Sequence, residues 1–145
     1  MNRIYGTETD LAGRILMLLF VCGKAFNIDR MVSYDFIATY GRYFGVDEEN
    51  LHGDSEYSFG ELSARRMVMM GSIRYLVTHD LIRAVDTDKG FVYTVTDTGA
   101  GVVRRMQSDY SVRYRKVMVR VCDRMRYLSD KELRDRIDIC SRSVR

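Results

Sequence analysis

Two short β-prone runs, set within sequence of helical spacing, most constrain how this chain can fold. The runs are residues 81–85 and 91–95, and the turn-forming segment between them ends in Gly90. β-Branched and aromatic residues favour extended strands, and glycine tolerates the positive φ that a tight turn requires. The chain contains no proline, which suits helices elsewhere because proline breaks them. The sequence therefore predicts one β-hairpin within a mainly helical protein.

Three helices are predicted before the hairpin from the spacing of apolar residues. The first is capped by Thr9 or Asp10 and runs to about residue 24. The second is capped by Asp29 and is terminated by Gly45. The third covers about residues 58–78 and is apolar nearly all round at its centre. We expect a helix of that kind to be buried on more than one side, by its own core or by a partner.

Three further helices are predicted after the hairpin from their N-terminal signals. Thr96 or Asp97 caps a helix that reaches about residue 106, and a long helix begins near Ser108. Ser129 and Glu132 form a capping box that opens the last helix, because each side chain can bond the other residue's backbone N–H.

The predicted order, three helices, a hairpin and a following helix, is that of a winged helix-turn-helix. Such domains usually add a short strand between the first two helices. We therefore predict a winged-helix domain over residues 1–106, followed by a basic C-terminal helical extension, residues 107–145, that packs on it.

Charge is divided unevenly along the chain. Residues 1–100 carry 10 Lys/Arg against 14 Asp/Glu, a net charge of −4, whereas residues 101–145 carry 13 against 6, a net charge of +7. The longest apolar run, residues 15–22, is too short to cross a bilayer. The N-terminus also lacks the apolar core of a signal peptide. We expect a cytoplasmic protein with no membrane contact.

The residues that could carry chemistry are few and scattered. Cys22, Cys122 and Cys140 form no metal-binding pair along the chain, and we interpret the first two as small core hydrophobes. Serines lie near His52 in a loop, but nothing in the pattern predicts an oxyanion scaffold. Gly99 lies in a glycine pair that lacks the lysine of a phosphate-binding loop. The sequence predicts no enzyme, metal site or cofactor.

Two helix faces are predicted to bind partners. The first lies on the third helix and consists of Glu61, Arg65, Arg66, Met69 and Met70. Methionine-rich surfaces adapt to protein partners, although packing within the core also explains these methionines. The second is a basic stripe on the long helix after Ser108, at spacings of 3, 4 and 4, formed by Arg113, Lys116, Arg120 and Arg124. It is either a solvated face or a contact for the DNA backbone or an acidic protein.

The order of several short motifs resembles the middle components of bacterial ABC-three-component systems, including the small accessory subunit of Lamassu-type antiphage defence. The resemblance covers roughly residues 10–115. The motifs are Arg-Ile-Leu-Met-Leu-Leu at 14–19, Tyr-Asp-Phe at 34–36, Leu-His at 51–52, Gly-Glu-Leu-Ser-Ala-Arg-Arg at 60–66, Asp-Leu-Ile at 80–82, Thr-Asp-Thr-Gly at 96–99 and Tyr110.

This resemblance implies a non-catalytic winged-helix subunit of a hetero-oligomer. It would sit on the head region of an SMC- or Rad50-like ABC ATPase and bridge it to an effector nuclease in defence against phage or plasmids. The alternative is a winged-helix transcription regulator, which would bind operator DNA as a dimer. Against it stands the shortage of polar base-reading residues on the third helix.

Overall fold

The computed structural model describes residues 8–53 and 59–143, which form a mainly helical structure with one two-stranded antiparallel sheet. The elements in chain order are α1 (Glu8–Cys22), α2 (Ile28–Thr39), α3 (Phe59–Thr78), β1 (Ile82–Thr87), β2 (Gly90–Val95), α4 (Asp97–Arg104), α5 (Asp109–Met125) and α6 (Asp130–Ser143). The predicted fold class, helical with a small hairpin, is confirmed. No helix among these residues is long and apolar enough to cross a bilayer.

The hairpin pairs Ile82 with Val95 at its base and Thr87 with Gly90 at its tip. Gly90 has a φ of +105°, as predicted for the turn, but the turn is shorter than the predicted segment because β1 continues to Thr87. The backbone between α1 and α2 adds a single bridge to the outer side of β2: Phe26 and Tyr93 exchange two N–H···O bonds of 3.1 and 2.9 Å.

The predicted starts of the last three helices, α4, α5 and α6, agree with the side chains that cap them. The Thr96 side chain accepts the N–H of Gly99, and the Ser108 side chain accepts the N–H of Ser111, as a cap requires. The capping box of α6 is also confirmed, because Ser129 N donates to Glu132 Oε1 at 3.0 Å and Glu132 N donates to Ser129 Oγ at 3.1 Å.

The first two helix boundaries differ from the prediction. Asn27, not Asp29, caps α2 by accepting the N–H of Arg30, so the helix begins two residues earlier than predicted. Helix α2 also ends at Thr39, and a series of turns covers the residues up to Gly45. Thr9 and Asp10 lie inside the first turn of α1 rather than before it. At the start of α2, Asn27 is therefore better placed to cap the helix than Asp29.

A single hydrophobic core includes residues from α5 and α6 as well as from the first 106 residues. Tyr114, Val117 and Val121 of α5 and Leu133 of α6 are essentially inaccessible, and they belong to the same cluster as the buried side chains of α1 and α2. Arg30 reinforces this packing, because its guanidinium donates to the carbonyls of residues 125 and 128 at the end of α5. The C-terminal helices therefore complete the core of the preceding region.

The structure corrects the interpretation of two cysteines. Cys22, at the end of α1, and Cys122, in α5, form a disulfide, with Cα atoms 5.9 Å apart. Both residues are partly exposed rather than enclosed in the core. The pattern of apolar neighbours suggested burial, but the two residues are 100 positions apart, so their meeting depends on the packing of α1 against α5. Cys140 is a free thiol.

Candidate partner-binding surfaces

Arg65 of α3 faces the interior, although its sequence position suggested a partner contact. Its side chain is only 10% exposed. It donates to Asp35 Oδ2 at 3.0 Å, to Thr39 Oγ1 at 2.9 Å and to Glu61 Oε1 at 3.2 Å. The guanidinium also lies 4.9 Å from the ring centroid of Phe36. Arg65 therefore attaches α3 to α2 and contributes little to the outer surface.

Asp35 of α2 is the centre of a buried network that joins four helices. Its carboxylate is fully enclosed and accepts two bonds from Arg14 of α1, at 2.9 and 3.1 Å, in a bidentate pair. Tyr114 of α5 donates to the same carboxylate at 2.7 Å, and Arg65 of α3 supplies the fourth bond. Bonds of this kind are strong because one partner or both are charged. The network therefore holds α1, α3 and α5 around α2.

The electrostatics of this network favour its charged form. Burial alone would raise the pKa of Asp35, but the positive charges of Arg14 and Arg65 outweigh burial and hold that pKa well below its ordinary value. Burial likewise lowers the pKa of Arg14, yet the facing Asp35 carboxylate leaves it above its ordinary value. Burial and the Asp35 charge together raise the pKa of Tyr114, so its hydroxyl remains a donor.

Sequence reasoning missed Arg14, Asp35 and Tyr114 as members of one site. A signal was present: Arg14 interrupts the apolar stripe of the first helix, and Asp35 stands between aromatic neighbours in the second. A charge on an apolar face predicts a buried partner, because an unpaired buried charge is very unfavourable. The identity of that partner depends on tertiary packing.

The outer face of α3 is apolar and carries two arginines. Met67 is 75% exposed and Met70 is 49% exposed, and Val77 continues the same stripe toward the end of the helix. Arg74 is exposed between them. Arg66 is exposed and bonds Asp29 at 2.9 Å. This α3 outer face consists of residues 63, 66, 67, 70, 74 and 77, and its apolar side chains Met67, Met70 and Val77 are exposed to solvent.

The predicted α3 residues are thus divided between two sides of the helix. Arg66 and Met70 lie on the α3 outer face, whereas Met69 is fully buried in the core. Glu61 is partly exposed, and its carboxylate accepts a hydrogen bond of 2.8 Å from the Tyr40 hydroxyl. A partner that approaches from solvent can reach Arg66, Met70 and part of Glu61, but not Met69.

The basic stripe on α5, formed by Arg113, Lys116, Arg120 and Arg124, packs against the acidic loop, residues 45–49. Arg113 lies 3.1 Å from Asp47 and 3.6 Å from Glu49, and Arg120 lies 3.7 Å from Asp47. An acidic surface loop is usually solvated, but only 13% of the Asp47 side chain is exposed. The chain therefore places an acidic segment of its own on the basic stripe.

The remaining contacts of the α5 stripe use backbone carbonyls. Arg120 donates to the carbonyl of Val46 at 3.2 Å, and Arg124 donates to the carbonyl of Gly45. Lys116 is exposed and has no ion-pair partner within residues 8–53 and 59–143. Arg113 and Arg120 keep 41% and 52% of their side chains exposed. The stripe is therefore partly neutralised but still open to solvent.

Other clusters in the described part of the chain offer less chemistry. His52 Nε2 lies 2.6 Å from the hydroxyl of Tyr110, and this contact attaches the segment that follows the acidic loop to α5. No group of three or more His, Cys, Asp or Glu among residues 8–53 and 59–143 could hold a metal ion. Gly99 allows close packing, because a Cβ there would overlap the carbonyl oxygen of Leu81.

These features define a class: a small, mainly helical protein with a β-hairpin, a buried charge network and two charged or apolar helix faces. The family is shown by sequence. The model of ABC-three component (ABC-3C) system Middle Component 2 matches residues 4–144, and the chain belongs to that family. It is therefore a component of a multi-subunit system, and its partners include other components of that system. No curated protein and no solved structure matches the chain.

Proposed function

We propose that this chain is the non-catalytic accessory subunit of an SMC-like ABC ATPase complex in antiphage or antiplasmid defence. In this role it bridges the ATPase to an effector nuclease within the cytoplasm. Membership of the middle-component family supports a role within an assembly. The observation that carries the proposal is the α3 outer face, on which Met67 and Met70 are exposed to solvent. Exposed methionines on one face are typical of protein-binding surfaces.

A winged-helix arrangement is part of the proposal. The isolated bridge between Phe26 and Tyr93 supports this arrangement, because it lies where such domains place a short strand between their first two helices. Helix α3 then occupies the position of the recognition helix, and the hairpin occupies that of the wing. In this chain the face that would enter a DNA groove is largely apolar, which favours a protein partner over base reading.

The charge on the α3 outer face indicates what its partner offers. Arg66 and Arg74 flank the exposed methionines, so a complementary surface has an apolar centre and acidic groups at its rim. We assign this surface to the head region of the ATPase. The α5 stripe then faces the DNA backbone, through contacts that do not depend on base sequence.

Co-purification of the chain with its encoded neighbours tests the assignment. A tagged chain is expressed with the adjacent genes, as wild type and as the double variant Met67→Glu/Met70→Glu. We expect a coiled-coil ATPase to co-purify with the wild type. The amount that co-purifies with the variant should be at least about tenfold smaller, because two buried apolar contacts are worth more than 1.4 kcal/mol. Circular dichroism and thermal unfolding check that the variant folds.

The matched control is Tyr127→Glu/Ile139→Glu, which adds the same two charges at exposed apolar positions far along the chain. It should retain the ATPase. Equal loss in both double variants would reject the α3 outer face as the interface. A wild-type chain that stays monomeric and ignores the ATPase would reject the accessory role. A homodimer that protects two DNA half-sites would instead establish the regulator.

A further inference from the structure

The acidic loop and the α5 stripe together suggest how binding of DNA to this surface is controlled. The inference rests on the DNA contact in the proposed function. Asp47 and Glu49 occupy positions around Arg113 that a phosphate would otherwise take, since carboxylate and phosphate oxygens accept the same guanidinium N–H bonds. The carboxylates are therefore competitors of the phosphate backbone, built into the chain.

The acidic loop is also held in position by contacts that do not involve the arginines of the α5 stripe. Val46 is 1% exposed, and its N–H donates to the carbonyl of Gly41 at 2.9 Å. Asn50 is also buried, and its side-chain oxygen accepts the N–H of Arg42 at 2.9 Å. The loop backbone is thus anchored in the core and to the end of α2. Neutralising Asp47 removes a charge but leaves these anchors in place.

The neighbouring acidic residue provides contrast within the same loop. Glu48 is exposed, and no ion pair within residues 8–53 and 59–143 involves its carboxylate. Asp47, one position earlier, lies within 4 Å of both Arg113 and Arg120. Asp47 and Glu48 carry equal charge, but Asp47 contacts the arginines of the stripe and Glu48 faces solvent.

We propose that the acidic loop is an electrostatic mask, in which Asp47 and Glu49 lower the affinity of the α5 stripe for the phosphate backbone of duplex DNA. Within residues 8–53 and 59–143, the mask leaves Lys116 and Arg124 as the stripe residues that pair with no carboxylate. A phosphate must compete with the carboxylates for Arg113 and Arg120. Partner binding at the loop would relieve the mask. Binding to DNA would then be coupled to assembly of the complex.

Fluorescence anisotropy with a labelled duplex of random sequence tests the mask in the full-length chain. Asp47→Asn and Glu48→Gln each raise the net charge by one unit, so long-range attraction changes equally in both. We expect Asp47→Asn to bind about threefold tighter than Glu48→Gln, and Asp47→Asn/Glu49→Gln about tenfold tighter than wild type, since surface pairs are individually weak.

The salt dependence gives a second readout that net charge alone does not produce. Each arginine released to a phosphate steepens the slope of log K against log salt by about 0.9. The double variant should therefore steepen it by nearly two, whereas Glu48→Gln leaves it unchanged. Adding Arg113→Gln and Arg120→Gln to the double variant should abolish the gain. Thermal unfolding confirms that each variant is folded.

The outcomes separate the mask from the DNA contact. If the wild type binds DNA and Asp47→Asn behaves like Glu48→Gln, the mask is rejected while the DNA contact stands. If neither the wild type nor any variant binds the duplex, both the DNA contact and the mask are rejected. The accessory role is judged separately, by retention of the ATPase through the α3 outer face.

Discussion

Two of the regions in which arginine meets carboxylate in this protein, the buried network and the α5 stripe, differ in burial rather than in chemistry. In the interior, Arg14 and Asp35 are 2% and 0% exposed and lie 2.9 Å apart. At the surface, Arg113 lies 3.1 Å from Asp47 with 41% of its side chain exposed. The distances are nearly equal, but water screens only the second pair. Similar contacts therefore serve different purposes: the first holds helices together, and the second sets the charge of a surface.

The free-energy consequences follow from that difference. Breaking a buried pair leaves a charge without water or partner, which costs about 3–5 kcal/mol, whereas an exposed pair contributes about 0–1 kcal/mol. We expect stability to be sensitive to the interior region and nearly insensitive to the α5 stripe. The predictions below test this contrast, beginning with the largest effect.

Asp35→Asn should lower the free energy of unfolding by about 3–5 kcal/mol, because it leaves Arg14 and Arg65 without their shared carboxylate. Urea unfolding followed by circular dichroism measures the change. Asp47→Asn is the matched surface control. Similar losses in both variants would mean that burial does not distinguish the two regions.

The same carboxylate predicts how stability depends on pH. The pKa of Asp35 is below its ordinary value in the folded state, so the folded chain binds a proton less readily than the unfolded chain. The stability from Asp35 is therefore fully present above the unfolded pKa of about 4, and it is lost as pH falls from there toward the folded pKa. Asp35→Asn should show a shallower loss of stability over this acid range. If stability fell equally steeply with falling pH in the wild type and in Asp35→Asn, Asp35 would not be the source of this pH dependence.

Reducing the disulfide should have the next largest effect, about 2–4 kcal/mol, because the bond closes a long loop in the unfolded chain. It joins α1, which carries Arg14, to α5, which carries Tyr114 and the stripe. Urea unfolding with and without reductant measures the loss, and Cys22→Ser/Cys122→Ser should remove the difference. Cys140→Ser is the control. Disulfides are rare in a reducing cytosol, so alkylation of the thiols in lysed cells also tests the expected compartment.

Tyr114→Phe should cost about 1.5–3 kcal/mol, because it removes a hydrogen bond of 2.7 Å to the Asp35 carboxylate but leaves both arginines in place. Thermal or urea unfolding measures it. Tyr127→Phe, at an exposed tyrosine, should change little. A loss as large as that of Asp35→Asn would indicate that packing of the tyrosine, and not charge, dominates the network.

Arg120→Gln should change stability least, by less than about 1 kcal/mol, since half of the side chain is exposed and its contacts are at the surface. Its effect should appear instead in DNA binding by the unmasked Asp47→Asn/Glu49→Gln chain, as a salt slope smaller by about 0.9. A large loss of stability would mean that the α5 stripe is a structural contact and not a binding surface.

The sequence by itself determined the elements of this protein. Caps such as Thr96 and the Ser129–Glu132 box, and the hairpin closed at Gly90, depend on residues a few positions apart, so local chemistry decides them. Only tertiary structure decided which way a charged residue faces and what it meets. Arg65 turns inward to Asp35, and Arg113 meets Asp47 across 66 positions of sequence. Such contacts depend on how whole helices pack, and helical spacing alone does not distinguish a face turned to the core from one turned to water.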